Sequence, residues 1–107
     1  MAHTVTLFTA EDGTGDSLVY RILSPEPDAV FAIQASGGFS GKGLQLLTSL
    51  DGDNWSVAVD DVQSGSMHVG PQTPGQIKAA IANAGSGDVT LKMSIAVGQF
   101  VEIPAEV

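Results

Sequence analysis

The sequence predicts an all-β chain folded as a single antiparallel β-sandwich of jelly-roll or immunoglobulin-like type. Three observations point there. About eight or nine short runs of alternating apolar residues follow one another, each closed by a turn signal, as in a sandwich or barrel. The 13 glycines are scattered rather than periodic, which suits many tight turns between short strands. Residues 39–59 (FSGKGLQLLTSLDGDNWSVAV) have the design of a β-hairpin: an alternating run, a polar turn and a second alternating run.

Taken in order, residues 4–10 (TVTLFTA) are rich in β-branched and aromatic side chains and form the first expected strand. Residues 11–16 read as a loop, and 17–23 (SLVYRIL) as the second strand. Pro25 and Pro27 stop it by removing donors and fixing φ, so residues 24–28 are expected to cross to another strand. Residues 29–36 (AVFAIQAS) put Phe31, Ile33 and Ala35 on one face, and Gly37 and Gly38 end the run.

In the hairpin, Leu44, Leu46 and Leu50 are expected on one face of the first strand. Trp55, Val57 and Val59 are expected on one face of the second, which assigns Trp55 to the core. Between them, Asp51-Gly52-Asp53-Asn54 supplies residues that tolerate left-handed backbone and bond their own main chain. A loop at 60–65 leads into a short strand at 66–69, where alternation sets His68 opposite Met67 and Val69, at the surface. A second Pro/Gly-rich passage covers 70–75.

Residues 76–84 (QIKAAIANA) admit two periods. Ile77 and Ile81, four apart, could open a short helix, but the segment also alternates and is confined between a proline loop and a glycine turn, which favours a strand. Residues 89–95 (VTLKMSI) alternate without a fault, and a last strand is expected at 99–103 before Pro104. Neither a repeat nor a domain boundary is visible, so residues 1–107 are expected to form one domain. The outer segments, 1–9 and 99–107, are apolar enough to act as docking arms; the simpler reading makes them edge strands of their own sandwich.

Composition excludes several functions. With 107 residues, 43% hydrophobic and 15% charged, the chain can bury a core and is too lightly charged for a disordered tail or a coiled coil. The net charge is −8, with Arg21, Lys42, Lys78 and Lys92 as its four cations. Four separated cations build no basic patch, which argues against nucleic acid, and the acidity argues against anionic membranes. It favours solubility and repulsion between free copies, or attraction to a basic partner surface, and charge alone does not choose between them. There are no cysteines, so disulfides and thiolate chemistry are out, which suits folding in a reducing compartment. No signal peptide is visible, and no apolar run is long enough to span a bilayer.

Each candidate for chemistry has a plainer explanation. Asp51, Asp53 and Asn54 offer oxygens at calcium-loop spacing, yet the later glycine and glutamate of an EF-hand are missing, and a hairpin turn explains them. Glu11, Asp12 and Asp16, like Asp60 and Asp61, could pair as acid and base but read as solvated loop carboxylates. His68 has no Gly-x-Ser-x-Gly elbow to serve, His3 lies at the chain end, and neither has a partner at metal-ligand spacing. Trp55 could stack a sugar, but its face is shared with valines. Gly41-Lys42 is followed by Gly43 and a strand, not by the Ser/Thr and helix of a phosphate loop. No catalytic, cofactor-binding or metal-ligating residue is expected, and the chain is expected not to be an enzyme.

The string Phe39-x-Gly41-x-Gly43-Leu44-x-Leu46, followed by Ser49-Leu50-Asp51-Gly52-x-Asn54-Trp55, resembles a pattern in small virion proteins of tailed bacteriophages. The likeness extends through residues 75–81, the turn at 85–88 and the strand beginning at Val89, and covers about residues 30–95. Proteins that look like this include capsid decoration (cement) proteins, head fibres and tail adaptors. The resemblance implies a non-enzymatic structural protein that binds and stabilises the assembled head shell, with the major capsid protein and copies of itself as partners. It implies a homotrimer, no nucleic acid, no membrane and no cofactor, made in the bacterial cytoplasm and placed on the capsid surface. The alternatives are a tail or fibre component and a carbohydrate-binding sandwich.

Overall fold

The computed structural model describes residues 3–23, 28–72 and 75–103. Within them lie ten strands and no helix: β1 (His3–Glu11), β2 (Gly15–Asp16), β3 (Val19–Leu23), β4 (Val30–Ser36), β5 (Leu44–Ser49), β6 (Ser56–Val59), β7 (Met67–Pro71), β8 (Gln76–Ile81), β9 (Val89–Ile95) and β10 (Gln99–Ile103). The strand period therefore prevails over the helical one at residues 76–81. The proline crossing at 24–27, and Thr73, Pro74 and Pro104, lie outside the described residues.

The strands form two antiparallel sheets, in the orders β1-β9-β4-β7 and β10-β3-β8-β5-β6, with β2 also paired to β8. Four pairings are nested along the chain: β1 with β9, β3 with β8, β4 with β7 and β5 with β6. Such nesting is a long hairpin folded over on itself, and its successive pairs alternate between the two sheets. That is the jelly-roll form of the sandwich. The molecule measures 37 × 31 × 20 Å, its short dimension being that of two sheets stacked about 10 Å apart with their side chains.

The core is the space between the two inner faces. Val89, Leu91, Met93 and Ile95 of β9, with Phe31, Ile33 and Ala35 of β4, meet Leu44, Leu46, Ile77, Ala79, Ile81, Ile22 and Phe100 from the other sheet. β8 and β9 are central strands, and their sequence alternation survives intact because both neighbours fix the pleat. β1 is an edge strand with register shifts after Thr6 and after Phe8. One such irregularity turns both Leu7 and Phe8 inward.

The edges are where the sequence expectations fail. Val59 pairs with Leu46 but Val57 pairs with Leu47, so Ala58 is an extra residue that reverses the alternation. Val59 packs against the core, whereas Val57 is half exposed on the outer face. Trp55 lies on that outer side and is not part of the core, which corrects its expected packing. Leu50 does not continue the inward row of Leu44 and Leu46. β5 ends at Ser49, and Leu50 is 82% exposed at the start of the turn.

His68 is also reversed. It pairs with the fully buried Ile33 and is half buried, while Met67 and Val69 face out at 58% and 62% exposure. The alternation is right and its sense is wrong, because an edge strand need not turn its apolar side inward. At the opposite side of the sandwich, His3 is held rather than frayed. Its Nδ1 accepts a hydrogen bond from the Phe100 amide at 2.8 Å, and its ring lies 5.5 Å from the Phe100 ring. This contact ties the β1 and β10 edges together. Residues 3–9 and 99–103, the described parts of the two apolar end segments, are paired within these edges.

Lys42 has an unforeseen place. It is 1% exposed, and its Nζ donates to the carbonyls of Asp12 (2.9 Å) and Ala84 (2.6 Å). Its own carbonyl accepts from the amides of Ala82 and Asn83. Gly41 and Gly43 on either side have positive φ (69° and 61°), a backbone that glycine adopts without strain. The Gly-Lys-Gly string is thus a loop clamp, not a phosphate cradle.

Candidate functional site

The acidic candidates are dispersed. Glu11 accepts a hydrogen bond from the Gly13 amide, Asp16 pairs with Lys78 at 2.8 Å, and Asp60 accepts from Gln45 Nε2. Asp61 is a loop residue with φ 51°. His3 and His68 sit on opposite edges of one sheet, three strand spacings or roughly 14 Å apart. Burial, reinforced by Glu102, raises the Tyr20 phenol, which disfavours its reactive phenolate. What the fold does bring together is two surface features, at the open side of the sandwich and on the hairpin.

The first is the open side. β1 and β10 close one flank through His3 and Phe100, which leaves β7 and β6 as the outer strands of the other. Between them runs a cleft of about 380 Å³ lined by Phe31, Thr48, Val59, His68 and Pro71, chiefly apolar. Around its β7 lip the outer sheet face carries Val30, Met67 and Val69, each about half exposed or more, and the register sets Pro71 beside Val30. Isolated exposed apolar residues are ordinary; a contiguous group along an edge is a contact surface.

Among the described residues the outer side of the β7 backbone is also unpaired. The amide of Gln72 bonds the carbonyl of Ala29, and the register sets Gly70 opposite Phe31 and His68 opposite Ile33. Hydrogen-bonded and non-bonded pairs alternate in an antiparallel ladder. The N–H and C=O groups of Met67 and Val69 therefore point away from β4, toward the free edge. The face that alternation assigned to the core is the one that looks out, and no sequence signal distinguishes the two.

The second feature is a cleft of about 460 Å³ on the outer face of the β5–β6 hairpin, between the turn and β3, β8 and β10. Its turn behaves as the sequence predicts. The Asp51 carboxylate accepts from the amides of Asp53 (2.8 Å) and Asn54 (2.9 Å), from Asn54 Nδ2 (2.9 Å) and from Ser49 Oγ (3.0 Å). The Asn54 and Asp53 amides, followed by the Asn54 and Ser49 side chains, hold the Asp51 carboxyl well below the usual carboxylate range. The Trp55 indole N–H donates to the Gly52 carbonyl at 3.2 Å, and Lys78 Nζ lies 4.4 Å from the ring centroid. Gln76 packs its side-chain amide against Gly52.

No family model matches the sequence, and no curated protein matches it. The fold does have solved counterparts. The crystal structure of the SPBc2 prophage-derived protein YomS superposes with a TM-score of 0.72 over 89% of this chain and 92% of that one, at 8% identity. A Clostridium perfringens protein, CpGH89CBM32-6, aligns over 94% of this chain and 76% of its own with a TM-score of 0.44 and 10% identity. The first likeness is one of fold: an all-β, two-sheet sandwich spanning nearly the whole of both chains.

Proposed function

We propose that this chain is a structural virion protein of a tailed bacteriophage, a capsid decoration protein that docks on the assembled head shell and stabilises it. The observation that carries the reading is the free β7 edge. Its outer main chain, unpaired among the described residues, lies beside exposed Met67 and Val69 and above an apolar cleft, so it can bind by strand addition and apolar burial together. The prophage origin of a protein with the same fold supports the phage setting, as does the hairpin string at residues 39–55. The major capsid protein is the proposed partner, with three copies of this chain meeting at a symmetry axis. The net charge of −8 suits a basic shell surface and keeps free copies apart, while repetition over many sites makes weak single contacts durable.

The test is co-sedimentation of the purified protein with mature and immature phage heads, alongside light scattering of the free protein. Saturable binding to expanded heads, with protection against heat or chelator, is the expected result. Binding only to tails or fibres would move the protein to that part of the virion. No binding to any virion component would overturn the reading.

A further inference from the structure

We infer that the hairpin cleft is a binding site for a neutral saccharide, independent of the docking edge and of the decoration role. The inference begins with Trp55, which the bulged strand leaves outside the core with its ring over the outer face of the sheet. An aromatic ring fixed at a surface is a stacking platform, and this one is fixed. Its indole N–H is bonded to Gly52, and the turn beneath is held by the hydrogen bonds that converge on Asp51 and Ser49. A platform already in place loses little freedom when a ligand arrives.

The charges select the ligand class. Asp51 and Asp53 line the cleft, and its one cation, Lys78, is paired with Asp16. An anion would meet net negative charge on a molecule of charge −8. A cation stacked on the indole would be repelled by Lys78 Nζ, which lies 4.4 Å from the ring centroid. A neutral ligand with an apolar C–H face and a hydroxyl edge meets neither obstacle.

The walls suit such a ligand. Leu18, Val19 and Ile103 give the cleft apolar lining, and Leu18 is about half exposed. The Gln76 amide lies in the cleft with no hydrogen bond to another described residue, although it is free both to donate and to accept. Asp53 also lines the cleft and offers a second acceptor. At about 460 Å³ the cleft falls within the usual range for small-molecule sites, about 300–1,000 Å³.

Trp55 is the only tryptophan in the chain, so its emission reports the site directly. The experiment titrates the full chain with a panel of neutral glucose-, galactose-, mannose- and N-acetylglucosamine-based oligosaccharides, and with sialylated counterparts. The expected result is a saturable emission change with at least one neutral oligosaccharide, weaker with the sialylated form. Gln76→Ala, on a part-exposed side chain, should lower that affinity roughly tenfold while leaving the melting temperature in place. Calorimetry on Trp55→Ala should show binding lost, with circular dichroism confirming the fold. Silence across the neutral panel, a preference for the sialylated glycans, or unchanged binding in Gln76→Ala would each overturn the inference. None of these outcomes bears on binding to phage heads.

Discussion

The side chain of Lys42 reaches the carbonyl oxygen of Ala84 at 2.6 Å from inside the protein, with 1% of the lysine exposed. With the Asp12 carbonyl as its second acceptor, it ties together three loops at one end of the sandwich. Lys42→Met keeps the length of the stem and removes the donors, leaving two inward carbonyls unanswered. The expected loss is about 2–4 kcal/mol, read as a lower urea midpoint with an unchanged slope.

Leu91 and Leu50 both belong to apolar runs in the sequence, and the fold separates them completely. Leu91→Ala should cost about 2–5 kcal/mol, because Leu91 is fully buried on a central strand and a cavity would remain. Leu50→Ser, at an 82% exposed position, should change stability by no more than about 0.5 kcal/mol. Thermal melts of the two variants make the comparison.

Asp51 should make the hairpin acid-sensitive. Its carboxyl is held below the ordinary range in the folded protein by the amides and side chains it accepts from. The unfolded chain therefore binds the proton first, at about pH 4. The stabilisation is fully present above that pH and is lost as pH falls below it toward the folded-state value. Asp51→Asn should lower the melting temperature at pH 7, and the gap to the parent protein should close progressively below about pH 4.

Val69→Lys tests the docking edge without touching the core, since Val69 is 62% exposed. A lysine there adds charge to a free strand edge, the device that natural sheets use to prevent strand addition. The variant should melt within about 1 kcal/mol of the parent and should lose binding to phage heads by tenfold or more. Retained binding would place the contact elsewhere.

His3→Ala probes the closed flank. It removes the acceptor for the Phe100 amide and the ring contact between the β1 and β10 edges. The expected cost is about 1 kcal/mol, with faster hydrogen exchange at the Phe100 amide as the local signature.

Much of the architecture is legible along the chain, for a definite reason. β8 and β9 run between neighbouring strands on both sides with a core on one face, so a period of two in the sequence becomes a period of two in burial. The turn at Asp51–Asn54 is equally legible, because its hydrogen bonds run between residues two or three apart. The glycines at 41 and 43 mark a loop, though nothing local shows that Lys42 between them is buried, since its acceptors are 30 and 42 residues distant.

By itself, then, the sequence determined an all-β sandwich, the places of its central strands and the chemistry of its main turn, all of them consequences of near neighbours and simple alternation. Only the tertiary structure decided what happens at the edges. There a strand has one partner, and its pleat is not held on both sides. One extra residue, Ala58, reverses Val59 relative to Val57, His68 turns inward while Met67 and Val69 turn out, and Trp55 sits on the surface. The β7 edge carries the proposed docking contact and Trp55 on the β6 hairpin the proposed binding cleft, and edges are the part of a sheet whose facing depends on how the second layer covers it.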